Sequence, residues 1–160
     1  MPVAPTGMIS LPLSYLRATL AASETFQTLA GAADAAAALA HIKLIEGPPT
    51  SIAVVGLEQG FTRTASSGGA RSYFEGDVGL ELILRIAVAD GATDADAFYT
   101  GMNTAGAIQK EMEALAGTAG YLDITAMTLK EGPARPFESE RATIGDFIQC
   151  IWSVRAGEGV

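Results

Sequence analysis

Between residues 78 and 88 every second position is apolar: Val78, Leu80, Leu82, Leu84, Ile86 and Val88. The positions on the other side, Asp77, Glu81, Ile83, Arg85 and Ala87, are mixed. Alternation of this kind predicts a β-strand with one buried face and one mixed face. The whole run "YFEGDVGLELILRIAVAD" (73–90) reads as one strand, longer than the usual length of about five or six residues, so part of it is expected to project beyond the sheet. Downstream the spacing changes to three and four. Phe98, Met102, Ala105, Ile108, Met112 and Leu115 form a single stripe, which predicts a helix. Thr93 with Asp96 three residues on resembles a capping box, and Asp94 and Asp96 suit the positive end of the helix dipole. Gly117 and Gly120 close the helix, while Gly101 and Gly106 weaken it but permit close backbone packing.

The same reading covers the rest of the chain. Residues 1–10 hold two prolines and no period, and read as an extended tail. Ser10 is expected to cap a helix with Pro12 in its first turn and Leu13, Leu16 and Leu20 on one side. Ser23 restarts a helix carrying Phe26 and Leu29, ended by Gly31. "AADAAAALA" (32–40) is a short alanine helix that needs packing to persist. Strands are expected at 41–47, stopped by Gly47, Pro48 and Pro49, and at 51–63, where Gly56 and Gly60 are candidate bulges. Two more follow at 121–132 and 144–156. The first has an ambiguous face choice between Leu122, Ile124, Ala126 and Thr128 and Tyr121, Thr125, Met127 and Leu129. The second places Ile148, Cys150, Trp152 and Val154 together, with Trp152 in the core. "GPARPFESERAT" between them reads as a polar loop.

Helices first, then strands around one long helix, make an α+β fold. The expected sheet is mostly antiparallel, with about four to five strands packed against helices. Residues 1–160 form a single domain with its core at 11–156 and a long β-hairpin arm at 62–76. In "TRTASSGGARSYFEGD", Ser66, Ser67, Gly68 and Gly69 supply the turn. Phe61 and Tyr73 flank it, and Arg63 and Arg71 are expected to dock on an acidic neighbour. Ile83, Phe147 and Ile151 on the second sheet face are expected to need cover from a partner.

Charge narrows the partners. Ten basic and eighteen acidic groups leave a net charge of -8, which opposes a general grip on nucleic acid. Hydrophobic residues make up 49% of the chain, so it is not disordered by composition. The start "MPVAPTGMIS" lacks the basic and apolar regions of a signal peptide, and no apolar run has the length of a membrane span. A soluble intracellular product is the expectation.

Candidate chemistry is sparse. The single histidine, His41, and the single cysteine, Cys150, match no triad or metal-ligand spacing, and no cofactor or metal is expected. Ser-Ser-Gly-Gly lacks the lysine and the strand-to-helix setting of a phosphate loop. Glu111 and Glu113 read as solvated helix surface. Glu138 and Glu140, with Arg135 and Arg141, read first as surface charge and second as a docking loop. Catalysis is not expected. The candidate interface residues are Phe61, Arg63, Arg71, Tyr73, Phe74, Arg135, Glu138 and Arg141.

The succession "LRATLAASETFQTLAG", "IKLIEG", "FEGDVGLELIL", "FYTGMNTAGAIQKEMEALAGTAGYLDI", "EGPARP" and "DFIQCIWSVRA" resembles the tail terminators (tail-to-head joining proteins of the neck) of tailed bacteriophages. The likeness spans about residues 11–156 and rests on diffuse patterns. It implies an α+β sandwich and a virion protein assembled in the host cytoplasm. Copies would form a ring, usually a hexamer, on the tail tube. That ring would stop tube growth and meet the head connector or head-closure protein, while viral DNA passes the lumen without specific binding. Two alternatives stay open: a head-closure or tail-completion protein, and a small-molecule-binding or enzymatic α+β domain.

Overall fold

The computed structural model of the chain describes residues 3–44, 51–57, 64–68, 71–75, 78–118, 120–122, 124–134 and 147–156, with backbone alone for 7–9, 64–68, 71–75 and 78. Helices α1 (Gly7–Ala21), α2 (Glu24–Ala30) and α3 (Ala35–Ala38) come first, and a 3-10 turn (Leu39–His41) leads into β1 (Ile42–Lys43). Strands β2 (Ala53–Leu57), β3 (Thr64–Gly68), β4 (Arg71–Glu75) and β5 (Val78–Ala87) follow. The long helix α4 (Asp94–Leu115) precedes β6 (Ile124–Ala134) and β7 (Phe147–Ala156).

The main sheet has five strands in the order β1-β2-β5-β7-β6. Only β1 and β2 run parallel; the other neighbours are antiparallel. The fold is therefore α+β with a mostly antiparallel sheet. β3 and β4 make a separate two-stranded sheet.

One sheet face carries the core. Alternation in β5 and β7 sends Leu80, Leu82, Leu84 and Ile86, and Ile148, Cys150, Trp152 and Val154, into it. In register, Ala53 faces Leu84, which faces Cys150; Val55 faces Leu82, then Trp152, then Leu129. Leu16, Leu20, Phe26, Ile108 and Met112 from the helices close over these rows. Burying a large apolar side chain contributes about 1.5–3 kcal/mol, so these rows dominate stability.

Several expectations are corrected. α1 begins at Gly7 after Thr6, so the extended tail is shorter than 1–10 and Ser10 is no cap. Ser10 instead sits within the helix and returns a hydrogen bond to the Thr6 carbonyl. Pro12 lies in the second turn rather than the first. The strand expected at 41–47 has two residues, and His41 belongs to the 3-10 turn. The run 73–90 is divided between β4 and β5, which pair in different sheets. Ser66, Ser67 and Gly68 lie in β3, where Ser66 pairs with Tyr73 and Gly68 with Arg71, so the hairpin's turn is shorter than Ser66–Gly69.

β6 begins at Ile124 rather than 121 and extends past Gly132 through Pro133 and Ala134, where the sequence suggests a loop. As an edge strand it tolerates proline, which removes a ladder donor. Its register shifts between Ile124 and Ala126 and again after Leu129, so no single alternation holds along it. That is why its two faces are ambiguous in sequence. Met127 is the buried residue, joined by partly buried Leu129.

α4 corrects the stripe. Thr93 and Asp96 form a full capping box, and Gly117 and Gly120 take positive φ just past the end. The buried line, however, is Ala97, Gly101, Ala105, Ile108 and Met112. The two largest stripe residues of the first turns, Phe98 and Met102, face outward. A Cβ on Gly101 would lie 3.0 Å from Ile148 Cγ2 and 3.3 Å from the Pro133 ring. Close approach of backbone to sheet selects the small residues for the inner line.

Candidate functional site

No enzyme-like constellation stands out among the described residues. Cys150 is wholly buried, and loss of solvent pushes its thiol up to about 11, so it stays protonated and unreactive. No group of three or more His, Cys, Asp or Glu residues among the described ones could hold a metal ion. No helix among them is long and apolar enough to cross a membrane.

The structured polar groups mostly serve packing. Glu111, a solvated surface residue by its sequence pattern, is in fact a docking residue. Its carboxylate accepts from Ser23 Oγ at 2.6 Å, Thr25 Oγ1 at 2.6 Å and the Thr25 N–H at 3.1 Å. Ser23 in turn caps α2 through the Phe26 N–H. Glu111 therefore completes the N-terminus of α2 from a different helix, where a negative charge is favoured. Burial pushes the Glu111 carboxyl up, but these hydrogen bonds outweigh it and hold the group below the ordinary carboxylate value. Glu113 remains exposed and accepts from Gln109.

Trp152 is core, as expected, and its indole N–H donates to Gln109 Oε1 at 2.9 Å. Gln109 Nε2 donates onward to the Met127 carbonyl at 3.3 Å. One glutamine on α4 thus ties together β7 and β6.

The second sheet face is covered in part from within. Phe147 is buried, with the Arg85 guanidinium 5.9 Å from its ring centre. Ile83 and Ile151 face each other across β5 and β7 and are partly buried, beside buried Val54 on β2. Lys130 on β6 reaches Glu81 on β5 at 3.5 Å over the same face.

Two surfaces among the described residues are exposed and apolar. The first is on α4, where Phe98 is 47%, Tyr99 63% and Met102 38% exposed. The Phe98 and Tyr99 rings pack edge to face, with centres 5.9 Å apart. Asp94 and Asp96 lie about one turn earlier on the same helix and are exposed. The second is a cleft of about 500 Å³ between the extended residues 3–6, α1 and the 3-10 turn. Leu13, Leu39, Leu44 and Val3 line it together with Arg17. Arg17 Nη2 donates to the Leu39 carbonyl at 2.6 Å, and exposed Lys43 adjoins the cleft.

Sequence reasoning missed both surfaces. The signal for the first was a competing helical line of small residues, Ala97 and Gly101, each one position before a large stripe residue and joining the stripe at Ala105. Of the expected interface residues, Arg71, Tyr73 and Phe74 lie on β4, where the backbone alone is described. Tyr73 and Phe74 are paired with Ser66 and Ala65. Phe61, Arg63, Arg135, Glu138 and Arg141 lie outside the described residues.

No protein-family model, no curated protein and no solved structure matches the chain.

Proposed function

We propose that the chain is a structural subunit of the neck of a tailed phage, a tail terminator. Its copies ring the end of the tail tube, stop its growth and present a surface to the head connector or head-closure protein.

The observation that carries this reading is the excursion between β2 and β5. These strands are antiparallel neighbours in the main sheet, yet the chain between them forms its own ladder, β3–β4, outside that sheet. An isolated two-stranded hairpin is marginal in water. It is accounted for when a second molecule covers it, as the arm of a ring subunit would be by its neighbour or the tube. Arg71, Tyr73 and Phe74 in the β4 sequence, with Phe61 and Arg63 just before β3 in the chain, supply the cations and aromatics suited to an acidic, partly apolar partner. The acidic balance of the chain suits a channel through which DNA slides without sticking.

The test is electron microscopy and native mass spectrometry of the purified chain, alone and with phage tail tubes. The expected result is a ring seated on tube ends and tubes that no longer elongate. A chain that ignores tube ends at every concentration sinks the reading. Location at the connector instead of the tube in an assembled particle would move the assignment to head closure.

A further inference from the structure

The two exposed apolar surfaces differ in shape and in charge. The α4 surface is convex, an aromatic pair with carboxylates one turn away. The cleft beside α1 is concave and apolar, and Arg17 is the sole ionised side chain among those lining it. Lys43 continues the positive charge outward. A volume of about 500 Å³ lies within the range of small-molecule pockets and leaves room for an aromatic side chain.

Their positions in the fold are also opposed. The cleft adjoins β1, one edge of the main sheet. The aromatic pair stands on the half of α4 that Gly101 presses against Pro133 of β6, the other edge. A surface at one edge therefore complements the surface at the other, in shape and in sign of charge.

We infer that the aromatic knob Phe98–Tyr99 of one copy seats in the α1 cleft of a second copy, with Asp94 and Asp96 facing Lys43 and Arg17. The occupant is a second copy because the chain itself carries both complementary halves. Such a contact joins unlike surfaces, so a pair of copies keeps one free knob and one free cleft. Repetition then closes a ring or runs on as a filament. The inference rests on the proposed ring only in supplying its subunit contact, and the surfaces stand without that reading.

Single-face variants test it on the isolated full-length chain by light scattering after size exclusion. Tyr99→Lys spoils the knob and Leu44→Asp spoils the cleft. Each is expected to weaken self-association at least about tenfold, the effect of losing about 1.4 kcal/mol. Mixed in equal amounts, the two variants should form a 1:1 dimer and stop there, because only one sound knob and one sound cleft remain. Lys43→Glu, at an exposed position, serves as the cleft variant if Leu44→Asp does not fold by circular dichroism.

A mixture that stays monomeric overturns the inference, as does a cleft variant that assembles like the wild type. So does a wild-type chain that remains monomeric at every concentration. These readouts need no tail tube. Failure to cap tubes would leave a positive mixing result standing. Capping by a chain whose Leu44→Asp and Lys43→Glu variants still assemble would remove this contact alone.

Discussion

Glu111 couples stability to pH through three hydrogen bonds it accepts from α2 and its cap. Its folded-state pKa lies below the ordinary value of 4.5. The stabilisation it confers is therefore complete above that value and is lost as pH falls through the lowered one. Glu111→Gln should reduce unfolding free energy at neutral pH by about 1.5–3 kcal/mol, the range for hydrogen bonds to a charged group. The gap between wild type and variant should narrow in acid, and urea titrations across pH measure it. A gap that stays constant down to acid pH removes the carboxylate from the account. This role was hidden in the sequence because Thr25 lies 86 residues from Glu111. The Thr93–Asp96 box was legible because a cap is local, and Trp152 was legible because it sits on an alternating run.

Two glycines of α4 make opposite predictions at the scale of the element. Gly106 is exposed, and nothing lies within 4 Å of the place a methyl group would take there. Gly106→Ala should stabilise by about 1 kcal/mol, the difference in helix propensity. Gly101→Ala gains the same propensity but sets a methyl against a β-branched side chain and a proline ring, both stiff. It should lower the melting temperature, read by circular dichroism, while Gly106→Ala raises it. If both raise it, the helix has room to move off the sheet. Type and order of the long elements were readable because a period of two or near four persists through them. The start of α1, the split of 73–90 and the face of β6 were not. Each depends on a hydrogen-bond partner or a bulge that no local pattern encodes.

The whole molecule separates what holds it together from what is left over. The core rows belong to the five-stranded sheet and its helices, and among the described residues β3 and β4 pair with each other alone. Deleting residues 65–70 should therefore leave the melting curve within a few degrees of wild type and abolish capping of tail tubes. Loss of the cooperative transition in the deletion variant would show that the hairpin supports the fold. The α+β class was visible in the chain from its order of elements. The surfaces left uncovered were not, because exposure is settled only when α4 meets the sheet through its smallest residues.

Trp152 is the only tryptophan, and its indole is enclosed between β7 and α4 with its N–H held by Gln109. Its fluorescence is consequently a private channel onto the seating of that helix. Emission should be blue and poorly quenched by acrylamide in the native chain, and should shift red only when α4 lifts from the sheet. The knob at Tyr99, the cleft at Leu44 and the β3–β4 ladder belong to other parts of the fold than β7 and the Gln109 turn of α4 that hold that indole. One spectrum can thus certify that a chain which fails to assemble has kept its interior.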